Sequence, residues 1–147
     1  MTQTTGSTSI KLNATPAEVW EIITDLDRIG ELSPECFKSE WEPGAAKLTP
    51  GARFRGTNRQ GDFEWETTCM VIGAIPEEEW TFSVDAPSGP ATIWRYLISP
   101  TDDGCEVTET FDSPALATDY FQKMDPPRDG QLRDNISTTL TNLKKLL

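Results

Sequence analysis

Thr15-Pro16-Ala17-Glu18-Val19-Trp20 decides how this chain reads, because it writes a helix start between one short strand pattern and a long series of others. Thr15 offers a capping hydroxyl, and Pro16 suits the first helical position, where an N–H would find no partner. Glu18 is placed to close a reciprocal capping box with Thr15. Val19, Ile22, Ile23 and Leu26 follow at helical spacing and give the helix its apolar face. Asp25, Leu26, Ile29 and Leu32 predict a second short helix that stops at Ser33-Pro34, since a residue before proline is pushed out of helical backbone.

Upstream, Ile10 and Leu12 alternate across residues 9–13 as an opening strand, with residues 1–8 read as a flexible tail. Downstream the period stays at two. Phe37, Ser39 and Trp41 precede a Pro43-Gly44 turn, and Phe54, Gly56 and Asn58 follow the Pro50-Gly51 turn. After an expected turn over residues 58–61, Phe63, Trp65, Thr67, Cys69 and Val71 occupy one face, opposite Asp62, Glu64, Glu66 and Thr68. Trp80, Phe82 and Val84 form the next strand, and residues 85–90 a loop rich in Pro and Gly. Trp94, Tyr96 and Ile98, then Val107, Glu109 and Phe111, complete the series.

Residues 114–124 read as a short helix interrupted by Pro126-Pro127. Leu132, Ile136, Leu140, Leu143 and Leu147 then repeat along a final amphipathic helix. Links this short join antiparallel neighbours, so the chain predicts an α+β fold: a curved antiparallel sheet of about seven strands cupped around the last helix.

At 147 residues the chain suits one domain, 1–147, with room for an internal cavity. Hydrophobic residues make up 36% and charged residues 25%, and no apolar run approaches the roughly 20 residues of a membrane span. The N-terminal residues carry no basic cluster or apolar run of a secretory signal, so a cytoplasmic location is expected. The three cysteines, Cys36, Cys69 and Cys105, are odd in number and far apart, as fits reduced thiols. A net charge of -11 repels phosphate backbones and anionic lipid surfaces, which argues against nucleic acid and membrane partners. There is no histidine, so Ser-His-Asp and Cys-His catalysis are excluded and proton transfer would fall to carboxylates, Tyr, Lys or water. No spacing of acidic residues or cysteines suggests a metal site, and no cofactor is implied.

With these elements in order, the chain resembles the SRPBCC superfamily, also called START-like or Bet v 1-like, in its polyketide cyclase/dehydrase branch. The resemblance rests on residues 15–20 and on Asp25-Leu26-Asp27-Arg28, Leu32-Ser33-Pro34-Glu35-Cys36 and Gly51-Ala52-Arg53-Phe54-Arg55-Gly56. Asn58-Arg59 and Trp94 add to it, and it runs from Ile10 to Leu147. It implies a helix-grip fold enclosing a cavity for lipids, polyketides or other apolar molecules, in a group that ranges from carriers to aromatase/cyclases.

If the apolar face of every strand points into the cup, the lining expected on the sheet side comprises Trp41, Phe54, Trp65, Phe82, Trp94, Tyr96 and Phe111. Ile136 and Leu140 face them from the final helix. Each residue alone fits ordinary core, but five tryptophans in so small a chain suit a flat aromatic or sterol-like ligand. Asn58, Arg59 and Glu109 are the expected orienting groups. Glu109, in phase with Val107 and Phe111, would be desolvated and thereby fitted to proton transfer, or else paired to an arginine; Arg59 would fork onto a ligand oxygen or pair with Glu64 or Asp62. Cys69 points inward with no activating neighbour and reads as inert.

The first expectation is therefore a module that binds a small hydrophobic or aromatic molecule. The alternatives are a cyclase/aromatase-like enzyme with Glu109 or Tyr96 handling protons, and a regulatory domain that meets a protein partner through an exposed apolar patch.

Overall fold

The computed structural model describes residues 3–86 and 89–147. The strands are β1 (Thr5–Leu12), β2 (Cys36–Trp41), β3 (Arg53–Gln60), β4 (Phe63–Ile75), β5 (Glu79–Ala86), β6 (Gly89–Thr101) and β7 (Gly104–Asp112). They form one antiparallel sheet in the order β1-β7-β6-β5-β4-β3-β2. Between β1 and β2 lie α1 (Pro16–Ile23), a 3-10 turn over Leu26–Arg28, and α2 (Ile29–Leu32); after β7 come α3 (Asp119–Gln122) and α4 (Arg128–Lys145). The two short helices carry the chain from one edge of the sheet to the other, which leaves β1 to close the meander by pairing with β7. This is the helix-grip arrangement expected from the sequence.

The capping box at Thr15 forms. The Glu18 N–H donates to Thr15 Oγ1 at 3.1 Å, and the Thr15 N–H donates to Glu18 Oε1 at 3.1 Å. α1 buries Val19, Ile22 and Ile23. α4 lies on the concave face against β1, β7 and α2, burying Leu132, Ile136, Thr139, Leu140 and Leu143. The expected stripe stops short of Leu147, which lies beyond the helix end and is exposed.

The opening strand is longer than residues 9–13, and the expected tail over residues 1–8 is corrected from Thr5 onward. β1 pairs with β7 from Thr5↔Asp112 to Leu12↔Cys105. Backbone bonds to β7 hold this segment whatever its side chains, so a run of Thr, Gly and Ser that resembles a linker becomes an edge strand. Gly6 has a packing reason besides: a Cβ there would stand 2.3 Å from Phe111 Cε1.

In β2 a register shift between Cys36 and Lys38 breaks the expected alternation, so Ser39 stays buried while Phe37 turns outward. The turn expected over residues 58–61 is tighter, because β3 runs through Gln60 and the reversal falls at Gly61, with φ +59. The loop expected over residues 85–90 shrinks as well: β5 reaches Ala86 and β6 begins at Gly89, while Pro87 and Ser88 lie outside the described residues. Residues 114–124 split into a 3-10 turn over Pro114–Ala117 and α3.

The core divides in two. A large cluster contains Phe54, Val71, Trp80, Tyr96, Leu140 and Leu143; a smaller one contains Phe111, Leu116, Leu132 and Ile136. Among the described residues no helix is long and apolar enough to cross a membrane.

Candidate functional site

Members of both core clusters line a cavity of about 520 Å³ between the concave sheet and α4, a size that suits a small organic ligand. Its aromatic wall follows from the strand register. Trp80 and Phe82 on β5 pair across to Tyr96 and Trp94 on β6, and Phe54 on β3 stands 5.3 Å from Phe82 and 6.2 Å from Trp80 between ring centroids. Leu132, Ile136 and Thr139 of α4 face them. The outer part of the lining includes the exposed Phe63, stacked 5.5 Å from Trp65, and the exposed Tyr120 on α3.

Of the residues singled out in the sequence, Phe54, Asn58, Trp65, Phe82, Trp94, Tyr96, Glu109 and Ile136 meet on this lining. Trp41, Arg59, Phe111 and Leu140 stand off it. Trp41, on edge strand β2, packs edge-on against the outer side of Phe54 at 5.4 Å. Arg59 points out of the cup, pairs with Glu64 at 3.2 Å and lies 4.6 Å over the Phe37 ring. Phe111 is in phase but fills the corner between Gly6 and Trp94, and Leu140 lies one helical turn beyond Ile136, within the large core cluster.

Asn58 is buried, but its amide serves the protein by donating to the Trp65 carbonyl and to Thr67 Oγ1, both at 3.4 Å. Around it the lining carries polar groups that strand phase alone does not bring together: Cys36, Ser39, Thr67 and Cys69, grouped where Gly56 leaves space. The bulge in β2 hid Cys36 from sequence reading. Burial raises Cys36 and pushes Cys69 up to about 12, so both are thiols rather than thiolates near neutral pH.

Glu109 is different. It is 3% exposed, sits between Thr8 of β1 and Tyr96 of β6 in the register, and lines the cavity. No protein group bonds its Oε1. None of Arg53, Arg59 and Arg95, the arginines in the neighbouring strand patterns, pairs with it: Arg53 is exposed, and Arg59 and Arg95 pair with Glu64 and Glu79. Burial raises its carboxyl to about 8, while hydrogen bonding with Tyr96 pulls the other way; Tyr96 is itself held well above its usual range by burial and by Glu109. Near neutral pH the pair is thus mostly uncharged, with one carboxyl oxygen unbonded by the protein.

A second feature escaped the sequence because its parts are 93 residues apart. Arg128, at the first turn of α4, forks onto Glu35 with contacts of 2.6 and 2.7 Å, and Asn135 adds a third bond to the same carboxylate at 3.1 Å. Gln60 donates to Gln131 Oε1 at 2.6 Å, and the Arg128 guanidinium lies 5.7 Å from the Trp65 ring. These contacts tie the start of α4 to the β3–β4 hairpin and to the chain before β2, beside the exposed part of the lining.

The family described as polyketide cyclase / dehydrase and lipid transport matches residues 3–147. Among solved structures, protein MLL2253 from Mesorhizobium loti is 16% identical, with 97% of this chain and 95% of that one covered and a TM-score of 0.72. The Polyketide_cyc-like protein Cgl2372 from Corynebacterium glutamicum is 27% identical, with coverage of 97% and 83% and a TM-score of 0.57. The di-domain ARO/CYC StfQ from the steffimycin biosynthetic pathway is 13% identical, with 97% of this chain but 49% of that one covered and a TM-score of 0.73. A comparison with curated proteins finds no match.

Proposed function

The chain belongs to the polyketide cyclase/dehydrase and lipid-transport family, and from that premise we propose that it binds one small, flat hydrophobic or aromatic molecule inside the cup. The observation that carries this reading is the cavity itself: about 520 Å³, walled by Phe54, Trp80, Phe82, Trp94 and Tyr96, with Glu109, whose buried Oε1 has no protein partner, among its lining residues. Aromatic walls hold a flat ligand through burial and ring stacking, and a lone polar group fixes its orientation. The test is a titration of tryptophan emission with neutral naphthalenemethanol. One saturable site per chain is expected, since Trp80 and Trp94 line the cavity; the absence of saturable binding contradicts the reading.

A second reading, catalysis of the cyclase/dehydratase type, is favoured by one observation: Glu109 has a carboxyl raised to about 8 beside the Tyr96 hydroxyl. A group that titrates near working pH is suited to both take and give a proton, and confinement in the cavity would supply the folding of a poly-carbonyl chain. In this reading Glu109→Gln lowers turnover of such a substrate by a factor of about 100 or more, the usual contribution of a general acid or base, with little change in binding. Turnover that survives Glu109→Gln and Tyr96→Phe together removes their proposed roles.

A further inference from the structure

The charges on the cavity lining are one-sided. Among the described residues that line it, Glu35, Glu66, Asp85 and Glu109 are acids, and Arg128 is the one cation. Arg128 is already engaged by Glu35 through both guanidinium nitrogens. A ligand carboxylate or phosphate would therefore meet no free positive group inside, and the chain's net charge of -11 opposes its approach. Glu109 lies deeper, buried, with Oε1 lacking a donor. Tyr96 and Trp94 on the adjacent β6, and Trp80 and Phe82 on β5 beyond it, present aromatic rings to the same cavity. Such rings attract a cation through their negative faces, and more strongly where water is excluded.

We propose, resting on the binding reading above, that the ligand is an organic monocation: a protonated amine on a flat hydrophobic body, its ammonium N–H donating to Glu109 Oε1 and its charge set against the aromatic wall. The buried carboxyl is neutral before binding, because burial is the main influence on it and Tyr96 the other group that acts on it. Of the groups on α4, Leu132, Ile136 and Thr139 carry no charge, Arg128 is held by Glu35, and Arg133, beside Gly6 and off the lining, pairs with Asp129; Thr8 on β1 carries none. An ammonium ion therefore ionises Glu109 as it enters, and the carboxyl proton leaves to solvent. An anionic ligand of the same shape would find no free cation on the lining, where Arg128 is held by Glu35 and the remaining charges, Glu66 and Asp85, are negative.

The experiment is calorimetric titration at pH 7 with naphthylmethylamine, naphthalenemethanol and naphthoate, each in two buffers of different ionisation enthalpy. The amine, protonated at this pH, is expected to bind at least tenfold tighter than the alcohol, with naphthoate weakest, and with about one proton released per amine bound. In Glu109→Gln, whose amide has the shape of the neutral carboxyl, the amine loses its advantage over the alcohol and proton release vanishes. Equal affinity for amine and alcohol, or binding of the amine to the unsubstituted protein without proton release, overturns the proposal and leaves the binding reading standing. If none of the three binds, both fall.

Discussion

Glu109 carries a buried carboxyl that faces Tyr96 across the β6–β7 register and has one oxygen unbonded by the protein. Its phase within Val107, Glu109 and Phe111 placed it inside the cup; what sequence could not show was that Arg59 and Arg95 pair elsewhere and that no protein group bonds Oε1. This has a measurable cost to folding. With an ordinary carboxyl near 4.5 in the unfolded chain and about 8 in the folded one, the folded state holds a proton between these values that the unfolded state has released. The stability associated with Glu109 is therefore fullest below about pH 4.5 and is lost as pH rises through 8. At about 1.4 kcal/mol per pKa unit this amounts to roughly 5 kcal/mol. Glu109→Gln removes the dependence, so its stability relative to the unsubstituted protein should rise by that order between pH 5 and pH 8.5 in urea unfolding. A gap that stays constant with pH would mean that Glu109 titrates normally. Gly6 is the opposite case, a residue that sequence reading assigned to a tail. With a Cβ destined for 2.3 Å from Phe111, Gly6→Ala should cost about 1 to 3 kcal/mol by forcing that ring aside, where a true tail residue would cost nothing in thermal unfolding.

Elements were read best where local chemistry alone specifies them. Thr15-Pro16-Ala17-Glu18 writes its own helix start, and Thr15→Ala should cost about 1 kcal/mol in chemical denaturation through loss of the cap. The alternation from Trp65 to Val71 and the stripe from Leu132 to Leu143 likewise contain their own periods. The misread elements depend on distant partners: β1 exists because β7 lies beside it, and the bulge in β2 shows only against β3. The junction before α4 belongs to this class. Glu35 and Arg128 are both 14% exposed and bonded twice. Arg128→Gln, which strands Glu35, should destabilise by about 2 to 3 kcal/mol, between the exposed and the fully buried limits for breaking such a pair. Because this junction borders the exposed part of the lining, the same variant should also speed ligand release in stopped-flow displacement; an unchanged rate would make the junction purely structural.

For the whole molecule, the order of elements and the curved sheet around a C-terminal helix were readable from periodicity and turns, because each short link allows only an antiparallel neighbour. The cavity was readable only in outline. Strand phase tells which side chains face inward, but not where inward-facing atoms close into core and where they leave a gap. Phe111 and Leu140 fill space while Glu109 and Ile136, two and four positions back along the same patterns, border the opening. The central claim is that this gap holds a small apolar molecule. Native mass spectrometry of the protein purified from the organism that makes it, followed by denaturing extraction, tests that claim most directly. One equivalent of an apolar, aromatic compound per chain, released on unfolding, is expected. A bare chain mass that also fails to shift on addition of flat aromatic compounds would contradict it.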